Sequence, residues 1–313
     1  MSFKLLIFGD LHIRETNPVN RIDDFRSEQE RKLKYVMRVA NKRYKYISII
    51  LQPGDFFDAA DKVSYNMLSK WIDFFAPFPP ILTVLGQHDT KNHHIHNTNI
   101  PTSVLQSSKV LKVLGNIPFD PYEKLHIYGA SWGQEIPEIQ NKDVFNVLII
   151  HKMIVKDKAL WNEQEDYVLA NKFLKSNGFD LIVSGDNHQK FVYAYDNRTL
   201  INAGSLMRTS INQNKHEPAA FVFDPITREI NEIKIPVKPF GEVFNMVKHK
   251  EQETTKEELR SLVESLKQDY LPMSDFLKNL EILKRKSDKD VIEFFEEMEK
   301  DESDTFRSKK MGI

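Results

Sequence analysis

Near its N-terminus the chain reads Phe3-Lys4-Leu5-Leu6-Ile7-Phe8-Gly9-Asp10-Leu11-His12, an apolar run that stops at a glycine and delivers an aspartate and a histidine. The same grammar recurs down the sequence. Residues 47–51 run into Gly54-Asp55-Phe56-Phe57-Asp58, and residues 81–85 into Gly86-Gln87-His88-Asp89. Residues 147–150 end at His151, and residues 181–183 run into Gly185-Asp186-Asn187-His188. Short apolar runs of this kind have the length of buried strands. A glycine at the end of four of the five permits the sharp turn that aims the next side chains outward. In open α/β sheets, the crevice beyond the strand ends is where sites are built.

Between these runs the spacing turns helical. Leu33, Val36, Met37, Ala40 and Tyr44 form one apolar stripe, Met67, Leu68, Trp71, Ile72 and Phe75 a second, and Tyr167, Ala170, Phe173 and Leu174 a third. Strands alternating with helices predict α/β layering, with helices covering a sheet. After Asp180 the runs at 191–195, 199–202 and 220–223 crowd together and read as an antiparallel completion. Pro236-Val237-Lys238-Pro239 then breaks the pattern. Beyond it, Thr254-Thr255-Lys256-Glu257 resembles a capping box leading into Leu259, Leu262, Val263 and Leu266 at helical spacing. A second amphipathic stretch carries Phe294 and Phe295. The expected plan is a main domain over 1–235, with a motif core at 1–190 and a strand-rich completion at 191–235. A linker or capping segment at 236–253 and a small helical extension at 254–313 follow.

Composition removes several function classes. The 313 residues contain no cysteine, so disulfides, thiolate metal sites and a cysteine nucleophile are excluded. With 44 basic against 45 acidic residues, net charge does not announce a nucleic-acid partner. No apolar run is long enough to span a bilayer, and the N-terminal run lacks a cleavable signal pattern. The expectation is a cytoplasmic protein without a membrane partner.

The side chains gathered at the five junctions are carboxylates, imidazoles and one amide. Mixed hard oxygens and imidazole nitrogens suit manganese, iron or zinc better than calcium. Asp10 and His12 share one side of an extended strand end. The candidates outnumber one coordination shell, which points to two ions bridged by a carboxylate, the arrangement that serves phosphoryl transfer. A lone aspartate after glycine is usually a turn residue, and a lone histidine is usually an ordinary imidazole. Five ordered junctions carrying such groups are a different matter.

The ordered blocks D-x-H, G-D-x-x-D, G-Q-H-D, a lone H and G-D-x-H resemble the calcineurin-like metallophosphoesterases, a layered α-β-β-α sandwich. Asn202-Ala203-Gly204-Ser205-Leu206-Met207-Arg208-Thr209 is similar to the G-S-x-x-R stretch of the DNA-repair nuclease branch, the SbcD-type subunit and its phage-encoded relatives. The resemblance implies one divalent ion on Asp10, His12, Asp55 and His188. It implies a second on Asp55, Gln87, His151 and Asp186, with manganese favoured and magnesium allowed. It casts His88 as the residue facing the scissile phosphate, with Asp58 as the carboxylate that orients it. The nucleophile would be metal-activated water.

Two positions depart from the family pattern, Gln87 where it has Asn and Asp186 where it has His. Each remains a competent ligand, and the carboxylate should favour harder ions; a crippled second site is the alternative reading. His93 and His94 either line the substrate cleft or belong to an ordinary polar loop. Arg208 is read either as a phosphate contact or as a structural ion pair. The basic residues Arg31, Lys32, Lys34, Arg38, Lys42, Arg43 and Lys45 read as a solvated helix face, or else as neutralising DNA phosphates. In the resembled branch, helices near Met67, Trp71 and Phe75 form a homodimer, which is the expectation here, with simple packing against the sheet as the alternative. A C-terminal helical element there docks on an SMC-like coiled-coil ATPase, which would make Leu259, Leu262, Val263, Leu266, Phe294 and Phe295 the partner contacts; packing on the protein itself or pairing in a dimer are the alternatives. The leading expectation is a metal-dependent exo- and endodeoxyribonuclease acting in DNA repair, recombination or replication, in a cell or in a phage's host cytoplasm. Another phosphoesterase activity and a catalytically silent scaffold are the alternatives.

Overall fold

The computed structural model describes residues 3–44, 47–91, 99–160 and 164–245. The strands are β1 (Lys4–Ile7), β2 (Ile47–Gln52), β3 (Ile81–Thr83), β4 (Leu111–Val113), β5 (Phe119–Tyr122), β6 (Leu125–Ala130) and β7 (Phe145–His151). They continue with β8 (Ile154–Val155), β9 (Val168–Leu169), β10 (Leu181–Gly185), β11 (Phe191–Tyr195), β12 (Arg198–Asn202), β13 (Ala219–Phe223) and β14 (Ile230–Lys234). The helices are α1 (Phe25–Arg43), α2 (Tyr65–Phe75), α3 (Pro101–Ser107), α4 (Ala170–Ser176) and α5 (Phe240–Val243).

Among the described residues two six-stranded sheets form, ordered β14-β13-β1-β2-β3-β4 and β11-β12-β10-β7-β6-β5, with β8 and β9 as a separate pair. Strand periodicity explains how they stack. Leu5 and Ile7 of β1 belong to one apolar cluster with Ile49, Leu51, Val147, Ile149, Leu181 and Val183, which therefore lies between the sheets. Their neighbours Leu6 and Ile50 belong to a second cluster with Leu33, Val36, Trp71 and Phe75 of α1 and α2. Leu148, Ile150 and Ile182 meet Phe173 and Leu174 of α4 in a third. Successive residues of a strand point to opposite faces, so a strand covered on both sides must be apolar throughout. The uninterrupted apolar runs of the sequence record this four-layer arrangement.

The parallel pairings β1–β2, β2–β3 and β7–β10 carry their C-terminal ends in common directions within each sheet. Of the late strands, β11 and β12 pair antiparallel in the second sheet, whereas β13 pairs antiparallel with β1 in the first. The antiparallel completion is thus shared between the sheets. Asp24 caps α1 by accepting from the Ser27 amide at 3.0 Å, and Ser64 caps α2 through the Met67 amide at 3.1 Å.

The first compact unit runs Met1–Phe244 and the second Asn245–Ile313. After the prolines at 236 and 239, α5 follows and Val243 and Phe244 are buried. The segment the sequence reads as a linker therefore begins inside the first unit. Met67, Trp71 and Phe75 are also buried, packed in the core. Their bulk fills the space between α2 and the sheet, so these three side chains are not themselves available to a partner. Among the described residues no helix is long and apolar enough to cross a membrane.

Candidate metal centre

Loops at the ends of β1, β2, β3, β7 and β10 bring the expected ligands together. The close approach of β1 to the loop after β12 requires glycine, because a Cβ on Gly9 would lie 1.6 Å from the Gly204 carbonyl oxygen. That loop also accepts the Asp10 amide at Gly204 and returns the Leu206 amide to the Asp10 carbonyl, at 3.2 and 2.9 Å. His12, Asp55 and Asp186 all adopt left-handed backbone conformations, with φ of 45°, 51° and 73°. Non-glycine residues held there cost on the order of 1 kcal/mol each, a cost that clusters at functional sites.

His12 and His188 point at one another, with their Nε2 atoms 3.0 Å apart. His188 Nε2 lies 3.7 Å from Asp10 Oδ2, and Asp10, His12 and His188 offer ligand atoms all within 4.8 Å of one another. Asp55 stands in the middle. Its Oδ1 accepts the His88 amide at 3.0 Å, while Oδ2 reaches His12 Nε2 at 3.7 Å and His151 Nε2 at 3.4 Å. One oxygen facing both imidazoles is what a bridging carboxylate requires. On the far side, His151 Nε2 lies 4.0 Å from Asp186 Oδ1, and Gln87 Nε2 donates to that same oxygen at 3.0 Å. All seven expected ligands are thus gathered, and the two departures from the family pattern touch each other.

The donor set fits cations. Asp10 Oδ1, Asp55 Oδ2, Gln87 Oε1 and His151 Nε2 are buried without a hydrogen-bond partner. Orphaned lone pairs of this kind are rare in native interiors, and here they sit beside one another. Burial, opposed by His151 and reinforced by Asp55 and Asp186, pushes the Asp10 carboxyl well above the usual carboxylate range. Burial would lift Asp55 as well, but His151, with help from His12 and His88, holds it below that range. Burial disfavours a charged His151, yet Asp55, Asp10 and Asp186 together lift it to about 10. Burial lowers His12 to about 3 and lowers His188 also. Asp10 and His151 are thus the groups driven to hold protons, and bound dications would displace them.

His88 is exposed at the mouth of this cluster, its ring centroid 5.0 Å from that of His12. His12, Asp55 and His88 also form a compact group of potential ligand atoms. His88 differs from the other members in being exposed and in having its Nδ1 engaged. That Nδ1 is 2.7 Å from the backbone carbonyl of Asp58. The expectation that the Asp58 carboxylate orients His88 is corrected here. The carboxylate instead pairs with Arg14 at 3.1 Å and lies 3.9 Å from His12 Nδ1.

Arg208 is likewise corrected from a substrate contact. It is buried, its guanidinium donates to the carbonyls of His216 and Lys238 at 2.8 and 3.4 Å, and its own carbonyl accepts from Arg21. These bonds fix the segment after β12. His93 and His94 lie outside the described residues, as do Leu259, Leu262, Val263, Leu266, Phe294 and Phe295.

Supporting residues escaped the sequence reading. Asp89 is buried and accepts the amides of Phe56 and Phe57 through Oδ1 at 2.9 and 3.1 Å, and of Gly86 through Oδ2 at 3.0 Å. It ties the loop of Asp55 to the loop of Gln87 and His88. Burial and the nearby Asp55 push its carboxyl up to about 7, while those amides favour its ionised form. Gln29, fully buried on α1, donates to the carbonyls of Leu11 and His12 at 3.2 and 2.8 Å. Gln213 Nε2 sits 3.4 Å from His188 Nδ1. The signal for Gln29 was a polar residue on an apolar helix face; for Asp89 it was its place in the Gly86-Gln87-His88-Asp89 block.

Residues 3–190 match the family model of the calcineurin-like phosphoesterases. The chain belongs to this family. It is therefore a hydrolase of phosphoesters that depends on divalent metal ions. Among solved structures it is similar to an archaeal phosphodiesterase at 13% identity and a TM-score of 0.42, over 74% of this chain and 100% of that one. It is also similar to a hypothetical protein from Pyrococcus horikoshii at 10% identity and a TM-score of 0.43, over 82% and 94% of the respective chains. Comparison with curated protein sequences returned no match.

Proposed function

We propose that this phosphoesterase is a DNA nuclease using two manganese ions, with magnesium as the substitute. It would act in repair, recombination or replication beside an SMC-like ATPase. The observation that carries the reading is the junction between Gly204–Leu206 and Asp10. The block similar to the nuclease branch is hydrogen-bonded directly onto a metal-ligand loop, so it is part of the site. A homodimer would have to use the outward residues of α2, among them Tyr65, which is 91% exposed. The cytoplasm, or a host's cytoplasm for a phage protein, is the compartment this role requires.

Asp10, His12, Asp55 and His188 would hold one ion, and Asp55, Gln87, His151 and Asp186 the other. Such a pair supplies Lewis acidity and a water nucleophile at neutral pH. Pro53 accepts from His151 Nδ1 at 2.6 Å, which leaves Nε2 as the ligand atom. His88 Nδ1–H donates to the Asp58 carbonyl and turns Nε2 toward the mouth of the site. In its protonated form Nε2–H binds a non-bridging phosphate oxygen and delivers its proton to the leaving oxygen.

The test is manganese-dependent cleavage of linear duplex and single-stranded DNA, with Asp55→Ala and His88→Ala as controls. Cleavage abolished in both variants supports the nuclease. Hydrolysis confined to small phosphodiesters would replace it with another phosphoesterase activity. Normal folding with fewer than two ions and no hydrolysis would replace it with a scaffold.

A further inference from the structure

We propose that Gln87 and Asp186 act as one hydrogen-bonded unit that shifts the balance of the second metal position away from zinc and toward oxygen-preferring dications, manganese or magnesium, relative to a site with His at position 186. The inference rests on the two-metal reading above and concerns what this chain has built at one of the two positions.

The bond from Gln87 Nε2 to Asp186 Oδ1, 3.0 Å long, settles which end of the amide can face an ion. An amide nitrogen is not a ligand, and fixing it on Asp186 leaves Oε1 as the free end. Oε1 is buried and has no other partner. Asp186 is itself held from behind, because its backbone amide donates to Asp10 Oδ2 at 3.0 Å. The pair is therefore anchored to a ligand of the first position.

Donor chemistry then separates the two positions. Asp10, Asp55, His12 and His188 offer two carboxylates and two imidazoles. Asp55, Asp186, Gln87 and His151 offer two carboxylates, an amide oxygen and a single imidazole. Oxygen-rich sets suit magnesium and manganese, whereas imidazole suits zinc. Each member of the pair also depends on the other. Asn at position 87 is one methylene shorter and withdraws the amide by roughly 1.5 Å. An imidazole at position 186 that turns its lone pair to an ion has no acceptor left for the Gln87 amide.

The test is calorimetric titration of metal-free full-length protein with manganese chloride and with zinc chloride. It compares the wild type, Gln87→Asn, Asp186→His and the double variant, with folding followed by circular dichroism. The tighter site should survive in all four proteins. Each single change should weaken manganese binding at the looser site by about tenfold or more. The double variant should lose less than the product of the single losses, and its looser site should shift toward zinc. Asp186→Asn, which keeps the shape and the oxygen but removes the charge, should lose manganese affinity without gaining a zinc preference. Single losses that simply multiply, or a manganese-to-zinc ratio unchanged across the variants, would overturn the coupling and leave the two-metal reading standing. A wild-type protein binding fewer than two ions would overturn both.

Discussion

At the residue scale, the atom that orients His88 makes a sharp prediction. A backbone carbonyl holds its Nδ1, so Asp58→Asn should leave the imidazole in place. Hydrolysis by Asp58→Asn should fall by less than about tenfold, against roughly 10²–10⁴-fold for His88→Ala. Equal losses in steady-state rates would return the orienting role to the carboxylate. Asp89 predicts the opposite kind of effect. Asp89→Ala strands three buried amides and should cost ~3 kcal/mol of stability. Because it ties two ligand loops together, metal affinity should also fall about 10–100-fold. Thermal melts and manganese titration check both. The sequence made the ligand types legible because their order and spacing survive in one dimension. It could not show whether a side chain or a carbonyl faces His88, since that depends on a rotamer and a turn. Nor could it show Gln87 meeting Asp186, which are remote in the chain.

At the element scale, α1 shows where helical periodicity misleads. Lys32 belongs to the basic set assigned to the solvated face, yet it is 3% exposed and its Nζ donates to the Leu206 carbonyl at 3.2 Å. Burial, with Arg21 pressing in the same direction, lowers its ammonium to about 7. An unfolded lysine keeps its proton to about pH 10, so between these values the unfolded chain binds more protons. Stability should therefore rise with pH across that window, and the penalty should be complete below about pH 7. Lys32→Met should raise the urea midpoint near pH 6 and flatten the rise at higher pH. A variant less stable near pH 6 with an unchanged slope would contradict this. Strands buried on both faces were legible as unbroken apolar runs. β6 was not, because His126 and Gly129 interrupt its apolar pattern. β4 is too short to announce itself at all.

At the scale of the whole molecule, the centre lies where two sheets bring their strand ends together. The first sheet supplies Asp10, His12, Asp55, Gln87 and His88, and the second supplies His151, Asp186 and His188. Neither sheet carries a complete ligand set, so ions bound there join the two layers. Removing metal should therefore destabilise the first unit. At a hundredfold excess over Kd, one bound ion contributes about 2.7 kcal/mol. For a unit of this size, chelation should lower Tm by roughly 5–10 °C. Anomalous scattering from manganese-soaked crystals tests the centre most directly. Two peaks should flank Asp55, about 3.5–4 Å apart, with Gln87 and Asp186 beside the second. A single peak, or none, with the imidazoles of His12, His151 and His188 turned away from Asp55, would contradict a cation pair held between the sheets.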